Sequence, residues 1–302
     1  MIKTGIALNL PDVTNLVRML RRHPDVDIVW MHNFNRTHSI TYDFPQLIGE
    51  LDLKYTDTPD FKAIDLYVGS PFRNPNDFAD NPNLKTIFCA PYMDCAGSVN
   101  CPVEIGLPEY NRKALVRGAR AAYTPDEITY LGALALMPLT KNLLLGSPVG
   151  GSVLLNHSDA HKGDLEGWGK YVGSFLTHEL CEKVLLPLQN SFNQPLNLLA
   201  FNTAGNVSMG TFVIDTRMNL CDIRQLYHSF YDDHRHVVIL PENVPAVAAK
   251  MVEGTNKAVI GLNLDAGKLF ITVAFDGRMK TGAGNIIHIM NLLFGLDERT
   301  GL

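Results

Sequence analysis

The stretch that decides the fold is Ile2-Lys3-Thr4-Gly5-Ile6-Ala7-Leu8, followed by Val13 to Arg22 (VTNLVRMLRR) and Val26 to Met31 (VDIVWM). The first and third segments are short apolar runs of strand length. In the middle segment Val13, Leu16, Val17 and Leu20 share one helical face, with Arg18, Arg21 and Arg22 on the other. Asn9-Leu10-Pro11-Asp12 reads as the helix start, with proline inside the first turn, where its missing N–H costs nothing. Strand, helix and strand at this spacing predict a parallel α/β sheet.

Working outward, Ile64 to Val68 and Leu84 to Ala90 are two more apolar runs of strand length. Asn74 to Val103, rich in Pro, Asn, Asp and Cys, reads as an irregular excursion. Asn111 to Gly118 is amphipathic, Arg120 to Tyr123 short and extended, and Pro125 to Met137 helical. Gly146 to Gly151 (GSPVGG) marks a domain change. Beyond it Leu176 to Leu188 is helical, whereas Asn197 to Ala200, Val207 to Ile214, Val237 to Leu240, Lys257 to Leu264 and Leu269 to Phe275 read as strands. Strands with few helices between them predict an α+β domain with a mixed sheet. Ala283 to Phe294 is a last helix closed by Gly295. The expectation is a Rossmann-like α/β domain over 1–147, an α+β domain over 148–280, and a C-terminal helix in 281–302 returning to the first.

With 46% hydrophobic and 19% charged residues among 302, the chain has an ordinary globular balance and can build a sizeable core. A net charge of -5, with no basic run longer than Arg21-Arg22, argues against nucleic acid or an anionic membrane as partner. The apolar run Leu131 to Leu139 is broken by Pro138 and is too short to span a bilayer. Five cysteines without a CxxC spacing suggest reduced thiols and a cytoplasmic protein. Apolar sheet surface in the second half suggests a homodimer or homotetramer.

Two constellations stand out on chemistry alone. His234 and His236, at i and i+2, would share one face of a strand, a geometry metal sites use; without a third ligand, a polar approach to the next strand is the competing reading. Lys280-Thr281-Gly282-Ala283-Gly284 sets a lysine and small residues at a helix start, which suits an anion or equally tight helix packing. His157 and His161 lie in a polar loop with Asp159 and Asp164.

Several stretches in order resemble N-acetyl-γ-glutamyl-phosphate reductase, an NADP-dependent family of arginine biosynthesis. They are MIKTGIA with LVRMLRRHPDVDIV, then Gly106-Leu107-Pro108-Glu109-Tyr110-Asn111-Arg112, which is similar to the family's GLPE-x-NR motif, and Ala133 to Leu139. Gly254-Thr255-Asn256, Lys280 to Gly284, Met290 to Leu296 and Thr300-Gly301-Leu302 follow. The likeness is weakest over 32–100 and 150–250. It implies that Glu109, Lys280, Gly282 and Gly284 face the substrate, and that Arg73, set against the family's SADFR segment, meets the substrate carboxylate.

The departures are informative. The family's first strand runs into a glycine-rich turn that lets a backbone approach pyrophosphate. Here Ala7 to Val13 lacks glycine, and none occurs between Gly5 and Gly49, so NADP binding is expected to be weak or absent. The family's thioester-forming cysteine aligns with Glu127. Glu127 is either a general base or one member of a capping box, with Thr124 as N-cap, Pro125 at N1 and Asp126 at N2. His178 falls two or three positions from the family's basic histidine, as an acid/base candidate or an exposed helix residue. The reading these features favour is an enzyme on a small acyl-amino-acid or similar carboxylate, without a cysteine thioester. Two others stay open: an NADP-dependent, semialdehyde-forming reductase with a remodelled turn, and a catalytically silent binding or assembly partner.

Overall fold

The structure, a computed structural model, describes residues 1–7, 13–33, 36–72, 76–89, 92–95, 97–156, 170–172, 174–203, 205–244 and 246–302. The chain forms two compact units, one of residues 1–125 and 282–302, the other of 126–281.

The first unit holds a six-stranded parallel sheet. Its strands are β1 (Ile2–Ala7), β2 (Val26–His32), β3 (Leu66–Gly69), β4 (Lys85–Phe88), β5 (Val103–Ile105) and β6 (Ala121–Tyr123), in the order β2-β1-β3-β4-β6-β5. The order reverses between β1 and β3, the switch point at which such sheets bind ligands. Helix α1 (Val13–Arg22) buries Val13, Leu16, Val17 and Leu20, the stripe read from the sequence. The strand β5 was not expected. Three residues at a sheet edge carry too little periodicity to separate them from the irregular segment before them.

Helix α2 (Pro108–Val116) and the C-terminal helix (Gly284–Phe294) pack together over this sheet. The GLPE-x-NR segment supplies much of that contact. A side chain at Gly106 would collide with Ile289 and lie 2.6 Å from the carbonyl of Tyr123. Asn285 donates to the Gly106 carbonyl at 2.9 Å. Arg112 pairs with Glu298, which also accepts from His288 at 2.8 Å, so the final residues are tied down from two helices. Gly295 caps the C-terminal helix at φ 68°, a conformation that glycine adopts without a steric penalty.

The second unit carries a mixed seven-stranded sheet. Its strands are β7 (Val149–Asn156), β8 (Lys170–Val172), β9 (Leu196–Thr203), β10 (Val207–Asp215), β11 (Val237–Ile239), β12 (Ala258–Asp265) and β13 (Lys268–Asp276), in the order β11-β12-β13-β10-β7-β9-β8. The segment read as a domain change at 146–151 thus enters β7. Gly150 and Gly151 obscure strand propensity there, and Gly151 passes so close to the Thr211 carbonyl that a side chain would not fit.

Helix α3 (Glu127–Lys141) packs on β7, β10 and β13, and α4 (Leu220–Tyr231) on β11 and β12. Along β10, Ser208, Gly210, Phe212 and Ile214 are buried, while Val207, Met209, Thr211 and Val213 are half-exposed. Pro138 lies inside α3 and cannot donate to the carbonyl of Leu134. The buried hydroxyl of Tyr231 on α4 donates to that oxygen at 2.7 Å, and Tyr227 to the next carbonyl, Ala135. Burial pushes the Tyr227 phenol well above its usual range. Among the described residues no helix is long and apolar enough to cross a membrane.

Candidate active site

After β6 the chain runs through Thr124 and Pro125 into α3, whose first residue is Glu127. The cap is Asp126, in extended backbone (φ -68°, ψ 165°), and its carboxylate accepts from Thr129 N at 2.7 Å and Thr129 Oγ1 at 3.1 Å. The expected capping box is therefore corrected. Thr124 is not the N-cap, and Glu127 sits at the first helical position instead of the third. Asp126 wins because it can accept from both Thr129 groups at once.

This register leaves the Glu127 carboxylate to a tertiary partner. Its Oε2 accepts a hydrogen bond from Ser208 Oγ at 2.7 Å. Ser208 is buried on the helix-facing side of β10. A carboxylate in a first helical turn also lies where the macrodipole favours negative charge. One turn further along, the Tyr130 ring packs edge-on to Phe275 at 5.7 Å, and the Lys280 Nζ stands 5.6 Å from its centroid. Lys280 is 1% exposed, at a depth where a lysine is found only with compensating contacts. A buried cation and a positioned carboxylate thus share the start of α3, an arrangement suited to anion binding and proton transfer.

The other candidates fall elsewhere. Glu109, in the first turn of α2, is buried within the first unit. Gly282 and Gly284 belong to that unit, whereas Lys280 belongs to the second. Gly282 breaks the wide helical turn Gly277–Ala283 with φ -104° and ψ -123°, and Gly284 opens the C-terminal helix. His178 is exposed on the helix Ser174–Glu179. His234 and His236 precede β11, which begins only at Val237, so the shared strand face does not form. Among the described residues no group of three or more His, Cys, Asp or Glu could hold a metal ion. Arg73, His157, His161, Asp159, Asp164 and the turn 8–12 lie outside the described residues.

Ser208, the partner of Glu127, was missed from the sequence. Ser208 lies 81 positions from Glu127, and no local pattern joins them. Asn256 was singled out only within a matching triplet. It is 6% exposed, and neither its side-chain nitrogen nor its oxygen has a hydrogen-bond partner among the described residues.

The resemblance raises NADP, whose 2′-phosphate is met in such folds by an arginine beyond the second strand. Beyond β2 the described arginine is Arg36, and its Nη1 lies 2.5 Å from Asp43 Oδ1. His38 Nε2 lies 2.9 Å from the other oxygen of Asp43. Burial works to raise the Asp43 carboxyl, but hydrogen bonds from Arg36 and His38 outweigh it and hold the group below its usual range. A guanidinium already neutralised by a carboxylate does not fit a phosphate, so no step here runs through the nucleotide.

No family model matches the chain. It is 30% identical over 306 residues to N-acetyl-γ-glutamyl-phosphate reductase of Parabacteroides distasonis, covering 95% of this chain and 93% of that protein. It is 30% identical over 325 residues to the protein of the same name from Phocaeicola vulgatus, covering 100% and 98%. Among solved structures, aspartate semialdehyde dehydrogenase II from Vibrio cholerae superposes with a TM-score of 0.73 at 11% identity, over 98% of this chain and 99% of that one. The aspartate semialdehyde dehydrogenase with NADP from Candida albicans gives 0.66 at 12%, over 97% and 98%. At such identities these two structures speak to the fold.

Proposed function

The chain belongs to the N-acetyl-γ-glutamyl-phosphate reductase family, and on that premise we propose that it is an enzyme of a different reaction, acting on a small N-acyl amino acid or related carboxylate. The observation that carries this is the Glu127 carboxylate, held by Ser208 at 2.7 Å in the position where the family's cysteine aligns. A carboxylate cannot form the thioester that accepts hydride. It can take a proton from a substrate carbon or from an attacking water, and a fixed hydrogen bond keeps one oxygen oriented for that task. Lys280 supplies the charge for the substrate's carboxylate. The absence of glycine from the sequence between Gly5 and Gly49, and the pairing of Arg36 with Asp43, support chemistry without bound NADP.

A thermal-shift titration of the full chain with NADPH, NADH, divalent metals and N-acetyl amino acids tests this reading. Stabilisation by N-acetyl amino acids, lost in Lys280→Met, is expected. Stabilisation of several degrees by NADPH would replace the proposal with a reductase whose nucleotide turn is remodelled. No response to any ligand would favour a silent assembly partner.

The half-exposed face of the second-unit sheet supports a homo-oligomer. Phe201, Leu154 and Met209 form one cross-strand row, and Leu199, Ser152 and Thr211 the next. Leu199 is 46% and Phe201 39% exposed. The apolar row Phe201, Leu154 and Met209, with Leu199 beside it, is the kind of exposed surface that marks association.

A further inference from the structure

Within the second unit, strand β11 stops at Ile239 while its parallel neighbour β12 runs on to Asp265. Leu240 N still donates to Ile260 O at 2.8 Å, and the chain then turns, with Val244 N donating to Pro241 O at 3.1 Å. Alternate residues of a strand face the same edge, so the Leu262 carbonyl is the next acceptor beside the notch where β11 ends. Helix α4 borders this notch with Leu220 and Arg224, one helical turn apart on one face. Both line a cavity of about 200 Å³, together with Leu240, Glu242, Val244 and Leu262.

Arg224 is the anomaly of this cavity. Its side chain is only 12% exposed, yet the carboxylate beside it belongs to Glu242, which is 71% exposed. Arg224 Nη2 donates to Leu240 O at 2.7 Å, and Nε stands 3.3 Å from Glu242 Oε1. A guanidinium carries five donors in a planar fork, and covering it is costly unless a partner is held against it. Arg36 has such a partner in Asp43, which is 15% exposed and is bound by His38 as well. Glu242 is free to turn, so an incoming carboxylate can take the guanidinium while Glu242 meets a cation. The cavity thus offers a cation, an anion and an apolar wall of Leu220, Leu240, Val244 and Leu262. A molecule with a carboxylate and an ammonium on one carbon, and an aliphatic chain beyond it, matches all three. We propose that this cavity binds a free aliphatic α-amino acid. Its carboxylate lies on Arg224, its ammonium on Glu242 and the Leu262 carbonyl, and its side chain against the apolar wall. An apolar cavity of about 150 Å³ holds benzene, so the space suits one amino acid of leucine's size. The cavity shares no residue with Glu127, Ser208 and Lys280 and is a second ligand site, independent of the reaction proposed there.

Calorimetry and thermal melts of the full chain with four probes test this. L-leucine carries all three features, 4-methylpentanoate lacks the ammonium, 3-methylbutylamine lacks the carboxylate, and glycine lacks the side chain. L-leucine should bind, and each truncated probe should bind about tenfold more weakly or worse, because a charged hydrogen bond or an apolar contact is lost. Arg224→Met should bring L-leucine down to the level of the amine. Glu242→Gln should bring it to the level of 4-methylpentanoate. If Arg224→Met does not fold, since its guanidinium also holds Leu240 O, the exposed Glu242→Gln carries the test. The proposal is overturned by no binding of L-leucine in either assay, or by equal binding of L-leucine and 4-methylpentanoate. An L-leucine affinity unchanged in Glu242→Gln would do the same. So would loss of L-leucine binding in folded Lys280→Met, which would put the ligand at the first site.

Discussion

The tyrosine that supports the interior of α3 gives a sharp test of how the candidate site is held. Pro138 deprives the Leu134 carbonyl of its ordinary helical donor, and the Tyr231 hydroxyl donates to that oxygen at 2.7 Å. Both residues are buried. Tyr231→Phe keeps nearly all of the volume and removes the donor, stranding a buried acceptor at a cost of about 1–3 kcal/mol. In a Pro138→Ala background the restored N–H can reach Leu134 O. There, Tyr231→Phe should cost only the net worth of one hydrogen bond, about 0.5–1.5 kcal/mol. The two substitutions should therefore fail to add by about 1 kcal/mol. Urea unfolding of the four proteins, followed by far-ultraviolet circular dichroism, closes the cycle. A cost below roughly 0.5 kcal/mol for Tyr231→Phe, in the range of an ordinary surface change, would refute the argument. So would an equal cost in both backgrounds.

Three further outcomes are expected. Gly106→Ala should destabilise the protein by about 1–3 kcal/mol, because the methyl group must displace Ile289 or the Tyr123 carbonyl; a thermal melt unchanged from wild type would count against the packing role given to the GLPE-x-NR segment. Asp43 is held below its ordinary value in the fold, so its contribution is present at neutral pH and lost as pH falls through its lowered folded pKa. The melting-temperature gap between wild type and Asp43→Asn should accordingly be open at pH 7 and close in acid, and a gap independent of pH would contradict this. Phe201→Glu, on the exposed sheet face, should shift sedimentation toward the monomer; an unchanged sedimentation profile would locate the contact elsewhere.

Much of the fold was legible because its signals are local. The stripe Val13, Leu16, Val17 and Leu20 needs only helical periodicity, and the stop at Gly295 needs only a residue at ease with positive φ. The apolar and β-branched run Val207 to Ile214 likewise announces a strand, although which of its faces is covered shows only in the burial along β10. The strands that escaped notice are the brief β5, the glycine-bearing β7 and the brief β8, whose strand character comes from their ladder partners. At the candidate site, residue 127 stood out through alignment, but its register did not. Thr124 and Asp126 are both competent caps by residue type, and only the three-dimensional path selects Asp126.

By itself, then, the sequence determined the α/β plus α+β fold class and the family likeness. Both are written in nearest-neighbour chemistry or in the identity of aligned residues. Only the tertiary structure decided that Glu127 answers to Ser208, that Tyr231 supplies the donor Pro138 lacks, and that the Asp276 carboxylate ties Gly254 N to Arg278 N. Those pairings join residues 81, 97 and 22 positions apart for Ser208–Glu127, Tyr231–Leu134 and Asp276–Gly254. Hydrogen bonds between such distant residues depend on how strands and helices stack, which no local pattern of residue types encodes.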